Sequence, residues 1–264
     1  MTNDIGAAFR ALHQADGAFL IPNPWDAGSA KMMHSLGFKA LASTSSGFAA
    51  AIAKKDGETS REEALENCRQ LAEATPLPVN GDLEKGYGHS PEDAAETVRL
   101  AAAAGLAGCS IEDYSGETIY DFDHTVERVS AAVEAARSLP GDFMLTARSE
   151  NLIRGRIDLD DTIRRLQAFE AAGADVLYAP GLRDLDQVRA VTGAVSRPIN
   201  VLIGGTSKMT VAELAAAGVK RVSTGGGLTW VAYGAMVKVA RRMLEEGSFD
   251  YGDTPGMRGI ADLL

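Results

Sequence analysis

The run Ser90-Pro91-Glu92-Asp93, closed by Ala103-Ala104-Gly105 and followed by Gly108-Cys109-Ser110-Ile111-Glu112-Asp113, decides the architecture of this chain. A serine N-cap, a proline at the first helical position and an acidic first turn open a helix. A glycine able to take the left-handed conformation ends it and feeds the next strand. Downstream, Asp158-Leu159-Asp160-Asp161 opens a second such helix, ended by Gly173, and a shorter one runs from Thr210 to Gly218. Ala171-Ala172-Gly173 and Ala216-Ala217-Gly218 repeat the same ending. The pattern predicts strands over 19–22, 40–45, 77–82, 108–113, 143–150, 174–179, 198–203 and 221–224. Strand and helix alternating in this way predict an α/β fold of the (β/α)8 barrel type, with a doubly wound open sheet as the alternative. An extra helix is expected ahead of the first strand.

With 264 residues, 45% of them hydrophobic, the chain holds core enough for one domain over 1–264, with 229–264 as a C-terminal helix and tail. No apolar run approaches the roughly eighteen residues of a membrane span. The N-terminal stretch carries Asp4 ahead of Arg10 and no apolar segment of the secretory kind, so a cytoplasmic location is expected. Two cysteines, Cys68 and Cys109, are too few for a disulfide framework or a cysteine-held zinc. Lys plus Arg number 26 against 36 Asp plus Glu, and the net charge of −10 works against binding nucleic acid or an anionic membrane surface. The expected partners are small molecules and further copies of the chain.

Barrel enzymes collect their chemistry at the C-terminal ends of the strands. Here Ser45-Ser46-Gly47 ends the second predicted strand, Asp82 and Glu84 the third and Glu112-Asp113 the fourth. Arg148, Glu150 and Asn151 end the fifth, and Asn200 lies in the seventh. Strand alternation is expected to project Asp82 and Glu84 side by side. Carboxylates Asp82, Glu84 and Glu112 at one barrel mouth repel by on the order of several kcal/mol in a partly shielded site, and so invite a cation. An all-oxygen set without His or Cys suits a hard ion, Mg2+ or Mn2+. Arg148 offers a planar fork for a substrate carboxylate or for charge on an enolate oxygen. Backbone N–H groups around Ser46 and Gly47 form an anion cradle. Gly204-Gly205 and Gly225-Gly226-Gly227 read as tight turns or as a barrel phosphate site.

Strand-end Ser46-Gly47, the Asp82-x-Glu84-x-Gly86-Tyr87-Gly88 run, Ser110-Ile111-Glu112-Asp113 and Thr146-Ala147-Arg148 stand in an order and spacing that resembles the isocitrate lyase and phosphoenolpyruvate mutase superfamily. The resemblance implies a barrel that binds a 2-oxo acid or its enolate on Mg2+ and makes or breaks a C–C or C–P bond beside it. It implies that Asp82, Glu84 and Glu112 are metal ligands, directly or through water. Ser45, Ser46, Gly47, Arg148 and Asn200 would hold the oxo acid. Arg148, Glu112 and Asp56, the last from Lys54-Lys55-Asp56-Gly57, would serve the chemistry. The resemblance also implies dimers or tetramers that exchange the final helix, in keeping with the apolar residues around much of the circumference of 229–246.

The departures bear on the reaction. Isocitrate and methylisocitrate lyases carry a Lys-Lys-Cys-Gly-His run after strand four, whereas this chain reads Tyr114-Ser115-Gly116-Glu117-Thr118-Ile119-Tyr120, without cysteine or lysine. Cys109 stands three residues before Glu112 and faces the helix layer when Glu112 faces the barrel. Glu84 replaces the aspartate usual at its position. Chemistry that needs an electron sink more than a thiol is favoured, and the simplest case is decarboxylation of oxaloacetate to pyruvate and CO2. The alternatives are cleavage of the 2-methylisocitrate or isocitrate kind and phosphonopyruvate hydrolysis, with Glu117, Tyr87, Asp113 or His124 to position a water. A 2-oxo acid binding protein without turnover is the non-enzymatic alternative. A Schiff-base aldolase is set aside, because Val176-Leu177-Tyr178-Ala179 and Asn200 offer no lysine on the late strands.

Overall fold

Eight parallel strands make a single sheet in the computed structural model, which describes residues 4–249 and 259–264. They are β1 (Phe19–Ile21), β2 (Leu41–Ala42), β3 (Val79–Asp82), β4 (Gly108–Glu112), β5 (Met144–Arg148), β6 (Val176–Tyr178), β7 (Ile199–Leu202) and β8 (Arg221–Ser223). Their order in space is β1-β8-β7-β6-β5-β4-β3-β2. The seam between β1 and β2 is drawn together by Ala42 N donating to Pro22 O at 3.0 Å and by the Asn23 amide donating to Ser43 O at 2.9 Å. The fold is therefore the expected (β/α)8 barrel and not an open sheet.

The helices are α1 (Ile5–Gln14), α2 (Ala27–Ser35), α3 (Ser45–Ala51), α4 (Arg61–Ala74), α5 (Pro91–Ala103), α6 (Phe122–Arg137), α7 (Leu159–Ala171), α8 (Leu185–Ala194), α9 (Val211–Ala216) and α10 (Gly227–Glu246). Their boundaries follow the local chemistry. Ser90 Oγ accepts from Asp93 N at 3.1 Å while Ser90 N donates to Asp93 Oδ2 at 2.9 Å, a reciprocal cap for α5. Gly105 ends that helix at φ +86°, in the left-handed region where a side chain is disfavoured.

Strands are shorter than their sequence suggests. The second, expected over 40–45, stops at Ala42 because Thr44 caps α3, its hydroxyl accepting from Gly47 N at 3.3 Å. Ser45, Ser46 and Gly47 thus form the first turn of a helix and not a strand end. Likewise β5 stops at Arg148, and residues 149–155 turn back over the barrel mouth.

Outward-facing strand residues such as Cys109, Ile111, Leu145 and Leu177 pack against helix residues including Val98, Leu166, Phe169 and Val188. The opposite end of the barrel is closed by α1, whose Phe9 is fully buried among Ile21, Ala42, Met144 and Val176. Burial of such a ring contributes about 1.5–3 kcal/mol. Arg10 fastens the same helix to Asp142 at 2.6 Å and Asp175 at 2.9 Å.

Helix α10 leaves Trp230, Val231 and Met236 exposed, and Leu244 is 88% exposed. The last described residues form a short 3-10 turn, Ile260–Leu263, laid on α2 by Ser35 Oγ donating to Leu263 O at 2.9 Å. Residues 250–258, most of the expected tail, lie outside the described residues. Among the described residues no helix is long and apolar enough to cross a membrane.

Candidate active site

Two cavities open side by side at the carboxyl ends of the strands. One, of about 250 Å³, descends into the barrel past Asp82, Arg148, Tyr178 and Asn200 to Arg221. The other, of about 210 Å³, is walled by Asp56, Glu58, Glu84 and Glu112. Ser45, Asp56, Arg148 and Arg154 border both. A wider groove of about 940 Å³ between the loops after β6 and β7 contains none of the predicted strand-end carboxylates, so the chemistry is sought in the two smaller cavities.

Arg148 is the centre of the site. Its Nε donates to Glu150 Oε1 at 2.5 Å, its Nη1 reaches Asp82 Oδ1 at 3.3 Å, and Glu112 Oε2 lies 3.5 Å from Nε. The guanidinium also lies over the Tyr178 ring, 4.9 Å from its centre. Glu112 and Arg148 are register partners across β4 and β5, which is why they meet. Burial works against the Arg148 charge, yet Glu150 and Glu112 hold its pKa well above the ordinary arginine value.

The acids are held in unfavourable company. Burial raises the Glu112 carboxyl well above the usual range despite Arg148, with Glu150 and Asp82 adding to the rise. Burial, then Asp82 and Asp56, push Glu84 up to about 7. Asp56 is raised by burial and then by Asp82. Asp82 is fixed by its own neighbours, its Oδ2 accepting from Ser45 N at 3.0 Å and its N–H donating to Ser43 Oγ at 2.7 Å.

Glu84 does not reach the mouth by strand alternation, as the sequence suggested. The strand ends at Asp82, Leu83 turns fully into the helix layer, and Glu84 sits at φ +49°. Its carbonyl accepts from Glu112 N at 2.9 Å, which ties the turn to β4. A left-handed conformation at a non-glycine residue costs about 1–3 kcal/mol and is typical of functional turns.

Among the described residues, no group of three His, Cys, Asp or Glu side chains stands as a ready metal cage. The site nevertheless fits a hard cation. Glu84 and Glu112 line a cavity of about 210 Å³, against roughly 30 Å³ for each water an ion would carry, and Asp82, whose charge acts on both, stands beside it on the neighbouring cavity. Burial first, and then the charge of neighbouring carboxylates, raises both glutamates, and a cation would relieve that disfavoured charge. Mg2+ keeps several of its waters and needs only one or two direct carboxylates, which suits acids set this far apart.

The substrate cradle differs from expectation. Ser45 N is taken by Asp82 and Gly47 N by Thr44, which leaves Ser46 N as the one amide of the three without a partner among the described residues. Glycine is required at 47 for packing, since a Cβ there would lie 2.4 Å from Thr229 Oγ1 and 2.6 Å from Thr44 Cγ2. Asn200 faces the cavity with both ends of its amide engaged, Nδ2 donating to Ser223 Oγ at 3.0 Å and Oδ1 accepting from Arg221 Nε at 2.9 Å.

Of the four groups expected to position a water, none borders either cavity. Asp113 faces away, accepting from Glu150 N at 2.7 Å and Arg165 Nη1 at 3.1 Å. Tyr87 packs against the core, His124 is bound to His89 O, and Glu117 is exposed. Both thiols are fully buried; burial pushes Cys68 up to about 12 and raises Cys109 further.

Two residues escaped the sequence reading. Glu150 was seen as a strand end, but its fully buried carboxylate forks between Arg148 and Arg154, the latter donating to Oε2 at 2.8 Å. Arg154 went unnoticed; it stacks on Tyr114 of the post-β4 loop, 4.0 Å from the ring centre, and roofs both cavities. The spacing Arg148, Glu150, Arg154 was the available signal.

A closed barrel with this charged mouth is the frame of a barrel enzyme of the lyase and mutase class. The chain belongs to the phosphoenolpyruvate phosphomutase family, whose model matches residues 9–244, and so to the isocitrate lyase/PEP mutase superfamily. A crystal structure of a candidate lyase or mutase from Burkholderia cenocepacia J2315 is 50% identical with a TM-score of 0.94, covering 97% of this chain and 95% of that one. The 2-methylisocitrate lyase of Escherichia coli K12 is 31% identical over 227 residues, 80% of this chain and 75% of its own. The oxaloacetate decarboxylase of Bradyrhizobium diazoefficiens is 30% identical over 190 residues, 70% of this chain and 65% of its own.

Proposed function

We propose that this chain is a divalent-cation-dependent carbon–carbon lyase of a small 2-oxo dicarboxylate, and that it decarboxylates oxaloacetate to pyruvate and CO2. The observation that carries the reading is Arg148 placed against Asp82 and Glu112, so that a guanidinium and a cation site flank one point of the mouth. The two buried thiols argue against a reaction that needs a cysteine acid. The decarboxylase relative supports the substrate, and the methylisocitrate lyase relative supports the class.

A bound Mg2+ or Mn2+, held by Asp82, Glu84 and Glu112, would supply the Lewis acid that draws electrons toward the keto oxygen. The protein's own groups do the rest. Arg148 donates to the oxygen on which charge grows, and Glu150 holds it there ahead of the reaction, so little reorganisation is needed. Ser46 N binds the carboxylate that is retained. Arg154 and Tyr114 roof the mouth and limit water. Asp56 borders both cavities with its carboxyl raised by burial, and is the acid placed to give the enolate carbon its proton. The exposed apolar face of α10 supports a working homo-oligomer in which a second copy covers that helix.

The test is to incubate the protein and Mg2+ with oxaloacetate, 2-methylisocitrate, isocitrate and phosphonopyruvate, following pyruvate and glyoxylate. Asp82→Ala and Glu112→Ala run alongside. Pyruvate from oxaloacetate above the Mg2+-only background, lost in both variants, is expected. Variants as fast as the parent would remove the cation site, and binding without turnover would leave a 2-oxo acid binding protein.

A further inference from the structure

We infer that the floor of the barrel cavity binds one carboxylate-sized anion through Arg221. This guanidinium, 3% exposed, opens β8 and lines the cavity that descends from the mouth. Its Nε donates to Asn200 Oδ1 at 2.9 Å and its Nη2 to Thr146 Oγ1 at 3.1 Å, both neutral acceptors. Among the described residues its Nη1 has no partner. Arg148, by contrast, is surrounded by three carboxylates. Burial lowers Arg221 to about 10, and no carboxylate contributes to holding its charge. Beneath it on α1 lies His13, kept neutral by burial and then by Arg221, its pKa about 3, so it sets no second positive charge against an anion and supplies no negative one. A buried guanidinium with neutral partners and a free N–H arm is short of one negative charge. The cavity, about 250 Å³ and continuous with the mouth, gives an anion a route to it.

The anion has two possible sources, the second carboxylate of the substrate or a small ion from solution. The first rests on the oxaloacetate reading and has a kinetic mark. Decarboxylation discharges the departing carboxylate, so a guanidinium holding it strengthens ground-state binding more than the transition state. In Arg221→Met the loss then falls on KM, raised about tenfold or more, and not on kcat, with Arg221→Lys in between.

The second source is read from bromide-soaked crystals of the unaltered protein, by an anomalous peak at Nη1, and from thermal stabilisation by formate or chloride that disappears in Arg221→Met. Either result supports the site and tells the sources apart. An unchanged KM in both variants together with no bromide at Nη1 overturns it, leaving Arg221 a brace between β5, β7 and β8. Should Arg221→Met fail to fold, Arg221→Lys and the bromide map decide. A protein that takes bromide at Arg221 but leaves oxaloacetate intact keeps the anion site and loses the decarboxylase reading.

Discussion

Arg148 and Glu150 lie two residues apart, and the Nε–Oε1 bond of 2.5 Å is the shortest contact the guanidinium makes to an acid. With Glu150 neutralised, Arg148 is left to Asp82 and Glu112 and is drawn into the space a cation needs. Glu150→Gln is expected to lower kcat/KM about 100-fold or more, the scale of a displaced catalytic group, and to weaken the cation. Unfolding in denaturant should show a loss of about 3 kcal/mol, because two arginines lose their buried partner. A variant with the parent rate would show that Arg148 keeps its place unaided.

Glu84 titrates near 7 in the folded chain against an ordinary value of 4.5. Between these values the folded state holds more proton than the unfolded one, so stability without a cation falls as pH rises through this window. Cation binding needs the charged form and has the opposite slope. Stabilisation by Mg2+ is therefore expected to be small on the acid side of neutrality and to grow through about pH 7. Melting curves with and without Mg2+ across that range check it, and Glu84→Gln should flatten the dependence.

Gly47→Ala forces a methyl against Thr229 and Thr44. Overpacking of this kind costs about 1–3 kcal/mol. Thr229→Ala on the same background should recover part of the loss, measured by denaturant unfolding. No recovery would mean that the α3–α10 contact is not the cause.

Cys68 and Cys109 are fully buried, and neither borders the two site cavities. Activity should survive iodoacetamide applied to the folded protein, and mass spectrometry should find both thiols unmodified until denaturant is added. Rapid inactivation would place a thiol in the reaction.

The apolar face of α10 should hold copies together. Light scattering is expected to give a multiple of the 27.8 kDa chain, and the double change Val231→Asp, Leu244→Asp should shift it to the single chain. A monomeric parent protein would leave that face unexplained.

The barrel was legible because its signals are local: caps such as Ser90 and Asp158, left-handed glycines such as Gly105 and Gly173, and short apolar strands buried on both faces. Asp82, Glu112 and Arg148 were legible for a related reason, since one position at the end of a strand fixes direction. What depended on turns was not. Glu84 reaches the mouth through a left-handed residue that alternation does not describe, and Thr44 converted an expected strand end into a helix. Asp113 was misread although the same parity that points Glu112 inward sends its neighbour outward. Arg154 was missed because its partners, Glu150 and Tyr114, meet only when the post-β4 and post-β5 turns are folded together.

The docking of α1 bears on how the chain comes off the ribosome. Its Phe9 rests on Met144 and Val176, and its Arg10 reaches Asp142 and Asp175. Helix α1 therefore has no seat until six of the eight strands have emerged. An amphipathic segment kept waiting that long is a natural client for a chaperone, and stalled nascent chains should protect it from protease only once translation has passed β6.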